Sequence, residues 1–352
     1  MLFKKGFAIA ALFACLGVFI SCKGKTSVGT IVKEQAVSFK FLSKTEGELA
    51  NTTDTKDHFF RDVTPLDMCL QLEKTYTLGS EAVVKEEYIE LLKNDVLSFS
   101  EEDHRVLGEV IDSLDRLLKG VNPKWLPSEI KLIKLNADAY GPSVFYTRED
   151  GIYIPKNELE AKNIQSLTSV FLHEIYHIMS RYSEEFRLKS YGLIGFSAVS
   201  KSLNIPSPLK ERILLNPDGV NMAYSIELSD PTKDEKVHAV PVIHSNSTNY
   251  IDGKGSFFNY IQFDLFRVVD GDVIVGGEEA GVIVPDIPDL YYQSFFEQIK
   301  DNTQYIIHPD EIMADNFMFT ILAHAEEEIL QQFSPEGKDL LERFTKLVFV
   351  EH

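Results

Sequence analysis

Apolar and polar residues are distributed unevenly along the chain, and each change of pattern predicts a different kind of segment. Residues 7–20 are almost entirely apolar, whereas residues 23–58 are rich in Lys, Thr, Ser, Glu and Gly. The second composition is typical of a tether, within which residues 36–42 suit one strand. Beyond it, apolar positions recur at helical spacing in residues 86–94 and 104–118. The pattern therefore predicts a helical region at the N-terminal side of a folded domain.

The centre of the chain changes from strand-like to helical patterning. Three short runs with strand-like patterning are expected to be strands: 131–135, 143–146 and 151–155. A helical pattern follows over residues 158–182, alternation suited to strands covers residues 236–275, and a last long helical region begins at Pro309. We expect an α+β fold over residues 59–352, with a small mixed sheet packed on the long helix and a mostly helical part after it.

The first 22 residues of the chain have three distinct parts. Two lysines form a short positive segment, the apolar residues 7–20 follow, and Ser21-Cys22 ends the run. A small residue followed by Cys at this point resembles the signal for attaching a lipid to the cysteine and cleaving before it. We expect a signal peptide over residues 1–21 and a lipidated Cys22 with a tether to residue 58. The anchor would hold the protein to a membrane on the exported side of a bacterial cell envelope. An ordinary signal peptide or a membrane anchor is the alternative.

The charge and cysteine content of the chain narrow the choice of partners and of stabilising features. The formal net charge is −19, with 54 Asp and Glu against 35 Lys and Arg. Such a surface repels phosphate backbones, so nucleic acid is not expected as a partner. Of the three cysteines, Cys15 lies in the expected signal and Cys22 would carry lipid, which leaves Cys69 alone. An internal disulfide is therefore not expected, and stability must come from the core, to which a bound metal could add.

The residues His173-Glu174-Ile175-Tyr176-His177 match the pattern H-E-x-x-H. Histidines four positions apart lie on one face of a helix, so both imidazoles can reach one zinc ion. Glu174 projects about 100° away from His173, near enough to act on water at the metal without being a ligand. The flanking residues are apolar and uncharged, which favours a buried helix whose polar side chains need partners. A metal supplies them, and histidines that hydrogen-bond within a core are the alternative.

A catalytic zinc ion normally has three protein ligands and one open position, so a third ligand is needed. A third His six residues after the second is excluded because that position is Ser183. Glu184 shares a helix face with His177 but lies about 10 Å further along the axis. The better candidate is Glu311, at the start of the predicted last helix, and Asp315, one turn on, could orient a ligand imidazole. An acid-rich first turn favoured by the helix dipole is the alternative.

This combination of motifs resembles the gluzincin group of zinc metallopeptidases. The pattern H-E-x-x-H is followed downstream by E-x-x-x-D, with Ala314 directly before the Asp. The resemblance implies a zincin-like catalytic domain in which residues 151–155 form the edge strand that aligns substrate. It also implies a role for each motif residue, namely zinc ligation by His173, His177 and Glu311, general-base catalysis by Glu174, and support of a ligand imidazole by Asp315.

The function expected from these features is that of a membrane-anchored zinc metallopeptidase with one Zn²⁺, in which Glu174 activates water against a peptide bond. A cell-envelope binding or structural lipoprotein with a vestigial or structural zinc site is the first alternative. An adhesin or solute-binding protein with a coincidental motif is the second. Residues 216–218 and 246–252 are turn-rich and are expected to be turns without a role in the site, with a position lining the cleft as the alternative. The residue that stabilises the oxyanion is left open among His238, His244, Tyr250, Tyr260 and His324.

Overall fold

The computed structural model describes residues 37–218, 222–279 and 281–350 of the chain. The expected signal peptide, Cys22 and the tether up to residue 36 lie outside the described residues. The N-terminal part contains β1 (Ser38–Phe41), α1 (Lys44–Asn51), α2 (Phe59–Asp62), α3 (Pro65–Gln71), α4 (Glu81–Asn94), β2 (Val96–Leu97) and α5 (Glu101–Leu117). The central part contains β3 (Glu129–Leu135), β4 (Tyr146–Arg148), β5 (Gly151–Pro155), α6 (Lys156–Ala161), α7 (Ile164–Tyr182) and α8 (Glu184–Gly192).

The remaining elements fall into a strand-rich stretch and a helical stretch. The former contains β6 (Phe196–Ala198), α9 (Ser207–Lys210), β7 (Tyr224–Ser229), β8 (Lys236–Ser245), a 3₁₀ helix (Phe257–Tyr260), β9 (Ile261–Val269), β10 (Asp272–Glu279) and β11 (Val282–Pro285). The latter contains α10 (Leu290–Ile299), α11 (Pro309–Ala325), a 3₁₀ helix (Glu327–Gln332) and α12 (Pro335–Val348). The fold is α+β, as predicted. Among the described residues, no helix combines the length and the apolar character needed to cross a membrane.

Residues 37–58 belong to the folded part of the chain, so the prediction of a tether reaching residue 58 was wrong. β1 is the strand expected within this stretch, and it pairs in parallel with β3. α1 follows and begins at a capping box, in which the Glu46 carboxylate accepts the Ser43 N–H at 2.9 Å. The polar composition of this stretch therefore reflects a half-exposed edge strand and an exposed helix rather than a linker.

The first sheet is mixed and has the strand order β1-β3-β5-β4, with β2 pairing along the β1 side of β3. β1, β3 and β5 run parallel, whereas β4 is antiparallel to β5. β5 lies inside the sheet and is buried throughout, as expected for a strand covered on both faces. The edge strands are therefore β1 and β4, and the expectation that residues 151–155 form the edge was wrong.

Alternation along the strands divides the apolar core between the two faces of this sheet. Ile130 and Leu132 of β3 belong to the core that surrounds α7, whereas Ile133 and Leu135 face a second core together with α3 and α4. α7 is buried over most of its length because it packs against the sheet, α5 and α11. The long helix predicted from the sequence thus lies at the centre of the first core.

Residues 196–285 form a second, antiparallel sheet with the order β11-β10-β9-β8-β7-β6. The prediction of a mostly helical part after the long helix was therefore wrong for this stretch, although the strands expected within residues 236–275 are present as β8, β9 and β10. Each strand pairs with its neighbour in sequence, so the sheet is built from local connections. It can therefore be inserted between α7 and α11 while the two helices still pack together.

Candidate metal centre

Two helices from distant parts of the chain meet at the candidate metal centre. α7 carries His173 and His177 one turn apart, and α11 carries Glu311 in its first turn. All three side chains are buried, and their ligand atoms lie within 4.8 Å of one another. Glu311 Oε2 is 3.0 Å from His173 Nε2 and 3.4 Å from His177 Nε2. The structure therefore brings together the two imidazoles and the carboxylate that the sequence motifs propose as ligands.

The start of α11 fixes the position of Glu311. Pro309 lies in the first turn, where its missing N–H costs no helical hydrogen bond. The N-cap residue His308 accepts the amide N–H of Asp310 on Nδ1 at 3.0 Å. α11 then packs along α7 through buried apolar residues such as Ile312. A capped and buried helix start of this kind holds the Glu311 side chain in one place relative to α7.

Each imidazole is supported by a carboxylate on its far side. His173 Nδ1 donates to Asp315 Oδ1 at 2.8 Å, which is the contact that the sequence proposes for a ligand imidazole. His177 Nδ1 donates to Asp310 Oδ2 at 2.6 Å. Hydrogen bonds at Nδ1 leave Nε2 of both rings directed toward Glu311, and metal-binding histidines are commonly oriented in this way.

Asp310 is the supporting residue that sequence reasoning missed. Its other oxygen, Oδ1, accepts hydrogen bonds from Ser180 Oγ at 2.5 Å and from Tyr191 OH at 2.7 Å. In the sequence, Asp310 directly precedes Glu311 and has the pattern of an acidic residue in the first turn of a helix. Its contact with His177 depends on how two separate helices pack, so no spacing in the sequence marks it.

Two buried polar atoms of this site have no hydrogen-bond partner among the residues that the structure describes. They are Glu174 Oε2 and His177 Nε2. His177 Nε2 approaches Glu311 Oε2 at 3.4 Å but without the geometry of a hydrogen bond. Because buried polar atoms are almost always satisfied, the pair indicates a pocket built for a further partner. A divalent cation meets that need, and two imidazole nitrogens with one carboxylate oxygen form a donor set that zinc accepts.

The electrostatics of the site favour positive charge at its centre. Burial raises the pKa of Glu174 to about 8, and the negative charge of Asp218 adds to this rise. Burial opposes ionisation of Glu311, but the charge of His177 and the hydrogen bonds from both imidazoles outweigh burial and lower its pKa. Burial also disfavours the charged form of His177, yet Glu311 and Asp218 outweigh it and raise the pKa of the imidazole. His173 and His177 would therefore give up protons if their imidazoles held a metal ion.

The segment 216–218 lies in the site, which corrects the expectation of a turn without a role. Asn216 Nδ2 donates to Glu311 Oε1. A carboxylate oxygen of Asp218 lies within 4.8 Å of the ligand atoms of Glu174 and His177. Both Asn216 and Asp218 are buried. Within the described part of the chain, residues 246–252 do not show such contacts with the site. In that stretch, the Asn249 side chain forms hydrogen bonds with the backbone of Tyr76.

The oxyanion donors proposed from the sequence have partners elsewhere, whereas Tyr305 stacks on His173 with ring centroids 6.1 Å apart. Burial and the negative charges of Glu311 and Asp218 raise the pKa of Tyr305 well above its usual value, so its hydroxyl keeps its proton. The Tyr305 ring therefore lies beside the cluster, and no motif in the sequence marks this residue. The earlier candidates pair as follows: His238 with Glu227, His244 with Asp264, Tyr250 with Tyr260, and His324 with Phe349.

Comparisons with known proteins give no independent assignment. No family model, no curated protein and no solved structure matches the chain. The interpretation of the site therefore rests on its geometry and its chemistry.

Proposed function

We propose that this protein is a zinc metallopeptidase whose ion is held by His173, His177 and Glu311. The observation that carries the proposal is the buried cluster of three ligand atoms within 4.8 Å, next to Glu174 Oε2, which has no hydrogen-bond partner in the part of the chain that the structure describes. Three protein ligands with a further carboxylate beside them are typical of a catalytic zinc site. Zn²⁺ held there would polarise the substrate carbonyl and lower the pKa of water.

Glu174 is the general base of the proposed reaction. It takes a proton from the attacking water as the new C–O bond forms at the peptide carbonyl, and passes it to the leaving amine as the C–N bond breaks. The raised pKa of Glu174, about 8, suits a group that holds and then releases a proton near neutral pH. A cation at the three ligands favours the ionised, basic form of Glu174 before the attack.

Other residues of the chain position the participants. Asp310 and Asp315 hold the two ligand imidazoles by hydrogen bonds to Nδ1. Tyr305, whose ring stacks on His173, supplies an O–H donor for the oxyanion that develops on the carbonyl. The substrate is a peptide or protein at the exported side of a bacterial membrane, to which the expected lipid on Cys22 would hold the enzyme.

One observation favours a second function. Because Asp218 also lies within 4.8 Å of Glu174 and His177, a fourth protein ligand is close enough to close the site. A closed site with four protein ligands is typical of structural zinc. The protein would then be a non-catalytic binding or structural lipoprotein of the cell envelope. The buried carboxylate of Glu174 argues for the enzyme, because a structural site has no use for an unpartnered base.

Metal content and peptide hydrolysis of the purified protein test the proposal. We expect about one zinc per chain, lost or weakened in Glu311→Ala, and hydrolysis that Glu174→Gln abolishes while zinc is retained. Glu336→Ala is the matched control, since Glu336 also follows a proline in the first turn of a helix but is exposed. A chain that takes up no zinc after reconstitution would exclude the peptidase. Zinc binding without hydrolysis of any peptide would favour the structural alternative.

A further inference from the structure

The outer edge of β4 is occupied by the protein's own groups. Alternate residues of an edge strand direct their N–H and C=O groups away from the sheet, where a peptide could pair with them. Asp218 Oδ1 accepts the outward N–H of Thr147 and also the Thr147 hydroxyl, the latter at 2.8 Å. The carbonyl of Glu149 accepts Arg181 Nη1 at 2.9 Å. An extended peptide that pairs with this edge therefore cannot continue past Thr147.

Asp218 is held at this position by a buried arginine. Arg181 Nη2 donates to the Asp218 carbonyl oxygen and to Thr147 Oγ1, both at 3.0 Å. Arg181 and Asp218 are only 5% and 8% exposed. The Asp218 carboxylate thus occupies the outer edge of β4 at Thr147. The same carboxylate also lies beside Glu174 and His177. A substrate chain that reaches this point meets the carboxyl group of Asp218, held in a fixed position.

The neighbouring carboxyl groups of Glu174 and Asp218 favour a cation as their binding partner. Glu174 Oε2 is buried and has no hydrogen-bond partner among the described residues, and carboxylate oxygens of Glu174 and Asp218 lie within 4.8 Å of each other, so two carboxyl groups lie side by side. An ammonium group carries a positive charge and three N–H donors, which suits two acceptors side by side. A carboxylate would be repelled. Arg181 is the cation packed against Asp218. All three of its guanidinium nitrogens already donate hydrogen bonds, and the acceptors are Asp57, Thr147, Glu149 and the Asp218 carbonyl.

A second metal ion is a poorer partner than an ammonium group for these two carboxyl groups. His177 Nδ1 is bound to Asp310, and its Nε2 belongs to the cluster with His173 and Glu311. One imidazole nitrogen serves one ion, so a second ion would be left with the carboxylates of Glu174 and Asp218 alone. That is fewer protein ligands than a zinc site normally has.

We propose that Asp218 binds the α-ammonium group of the substrate, with Glu174 beside it, and that the protein is an aminopeptidase that removes N-terminal residues. This inference rests on the proposed zinc peptidase function. The first carbonyl carbon of a peptide lies about 2.5 Å from its amino nitrogen, so an ammonium on Asp218 places that carbonyl near the three ligands. Water adds to this carbonyl, the C–N bond to the second residue breaks, and the proton moves through Glu174 to the new amino group.

A pair of peptides with one sequence tests the inference, one with a free N-terminus and the other N-acetylated. The zinc-loaded protein is expected to release the first residue of the free peptide and to cleave the acetylated peptide at least roughly 10-fold more slowly. Asp218→Asn keeps the acceptor for Thr147 but removes the charge. We expect this variant to lower kcat/KM roughly 10- to 100-fold more for the free peptide than for the acetylated peptide, with the additional loss mainly in KM; the change that both peptides share reports the effect of Asp218 on Glu174.

The matched control is Asp230→Asn. Asp230 Oδ1 also accepts the N–H and hydroxyl of one threonine, Thr232, at 2.8 and 2.6 Å. It is 3% exposed, like the buried Asp218, but belongs to the connection between β7 and β8. The control variant should keep the preference for the free N-terminus. Equal cleavage of both peptides by the parent, cleavage at internal bonds, or two zinc ions per chain would each overturn the inference.

Binding separates this inference from the function on which it rests. Calorimetry with zinc-loaded Glu174→Gln should show the free peptide binding roughly 10-fold more tightly than the acetylated one, and Asp218→Asn added to that variant should remove the difference. If the parent hydrolyses neither peptide but the preference in binding is present, the peptidase proposal fails and the role of Asp218 stands. If the two peptides bind equally, the role of Asp218 fails whether or not hydrolysis is seen.

Discussion

At the level of single residues, the candidate ligands are held by carboxylates that themselves have further partners. Asp310 receives three hydrogen bonds, from His177, Ser180 and Tyr191. Asp315 receives hydrogen bonds from His173 and from the Thr303 hydroxyl. Each supporting side chain is thus fixed before a metal arrives, and a fixed imidazole binds with less loss of freedom.

Replacing Asp310 by Asn should weaken zinc binding by about 10- to 100-fold, because a neutral amide holds His177 less firmly than a carboxylate does. Competition with a coloured chelator measures the affinity directly. Asp339→Asn, at an exposed position on α12, is the control and should leave it unchanged. Zinc affinity in Asp310→Asn equal to that of the parent would show that Asp310 serves only the packing of Tyr191 and Ser180.

Sequence reasoning succeeded at this level where the relevant residues share one helix. The spacing of His173 and His177, and of Glu311 and Asp315, follows from the helical repeat and can be read without any structure. Asp218 and Tyr305 were not assigned because they approach the site from loops. A loop residue has no repeat that predicts its direction, so only the folded chain shows what it contacts.

At the level of elements, Arg181 joins parts of the fold that are far apart in sequence. It lies in the last turn of α7, and its guanidinium binds Thr147 on β4, the carbonyl of Asp218, and the carboxylate of Asp57 between α1 and α2. The side chain is 2% exposed. The end of the motif helix, the sheet edge and the segment 216–218 therefore keep their relative positions through one residue.

Arg181→Met should lower the free energy of unfolding by about 3–5 kcal/mol, because it breaks a buried charged network and leaves several acceptors unpaired. Urea unfolding followed by circular dichroism gives this quantity. Arg105→Met is the matched control, because Arg105 pairs with Glu102 and Glu109 on the exposed face of α5. This substitution should lower the free energy of unfolding by less than about 1 kcal/mol. Equal losses for both variants would contradict the role assigned to Arg181.

At the level of the whole molecule, a buried acid connects the N-terminal helices with the strand-rich stretch. Asp67 of α3 is fully buried, and its Oδ2 accepts the N–H of Leu215 at 2.7 Å. Its Oδ1 accepts from Gln71 Nε2 at 2.8 Å. Burial raises the pKa of Asp67 from 3.8 to about 7 against the effect of these two hydrogen bonds. The folded chain therefore binds this proton more tightly than the unfolded chain does.

The raised pKa of Asp67 has a definite sign for stability. The contribution of Asp67 to the free energy of unfolding is fully present below about pH 4. It is lost as the pH rises through about 7, because burial opposes ionisation of this carboxyl only in the folded state. Asp67→Asn should therefore gain stability relative to the parent between about pH 5 and pH 8, by more than about 1 kcal/mol. Thermal unfolding across that range measures the difference. The exposed Asp234→Asn should show no such trend, and a parallel trend in both variants would refute the assignment.

The sequence by itself determined the α+β class, the long buried helix with His173 and His177 on one face, and the start of the helix that carries Glu311. These features depend on side-chain periodicity and helix geometry within a single segment. Tertiary structure alone decided that β4 rather than β5 lies at the sheet edge, that residues 196–285 form a second sheet, and that Asp310 and Asp218 lie in the site. Such contacts join segments far apart in the chain, and they arise from packing that no local spacing encodes.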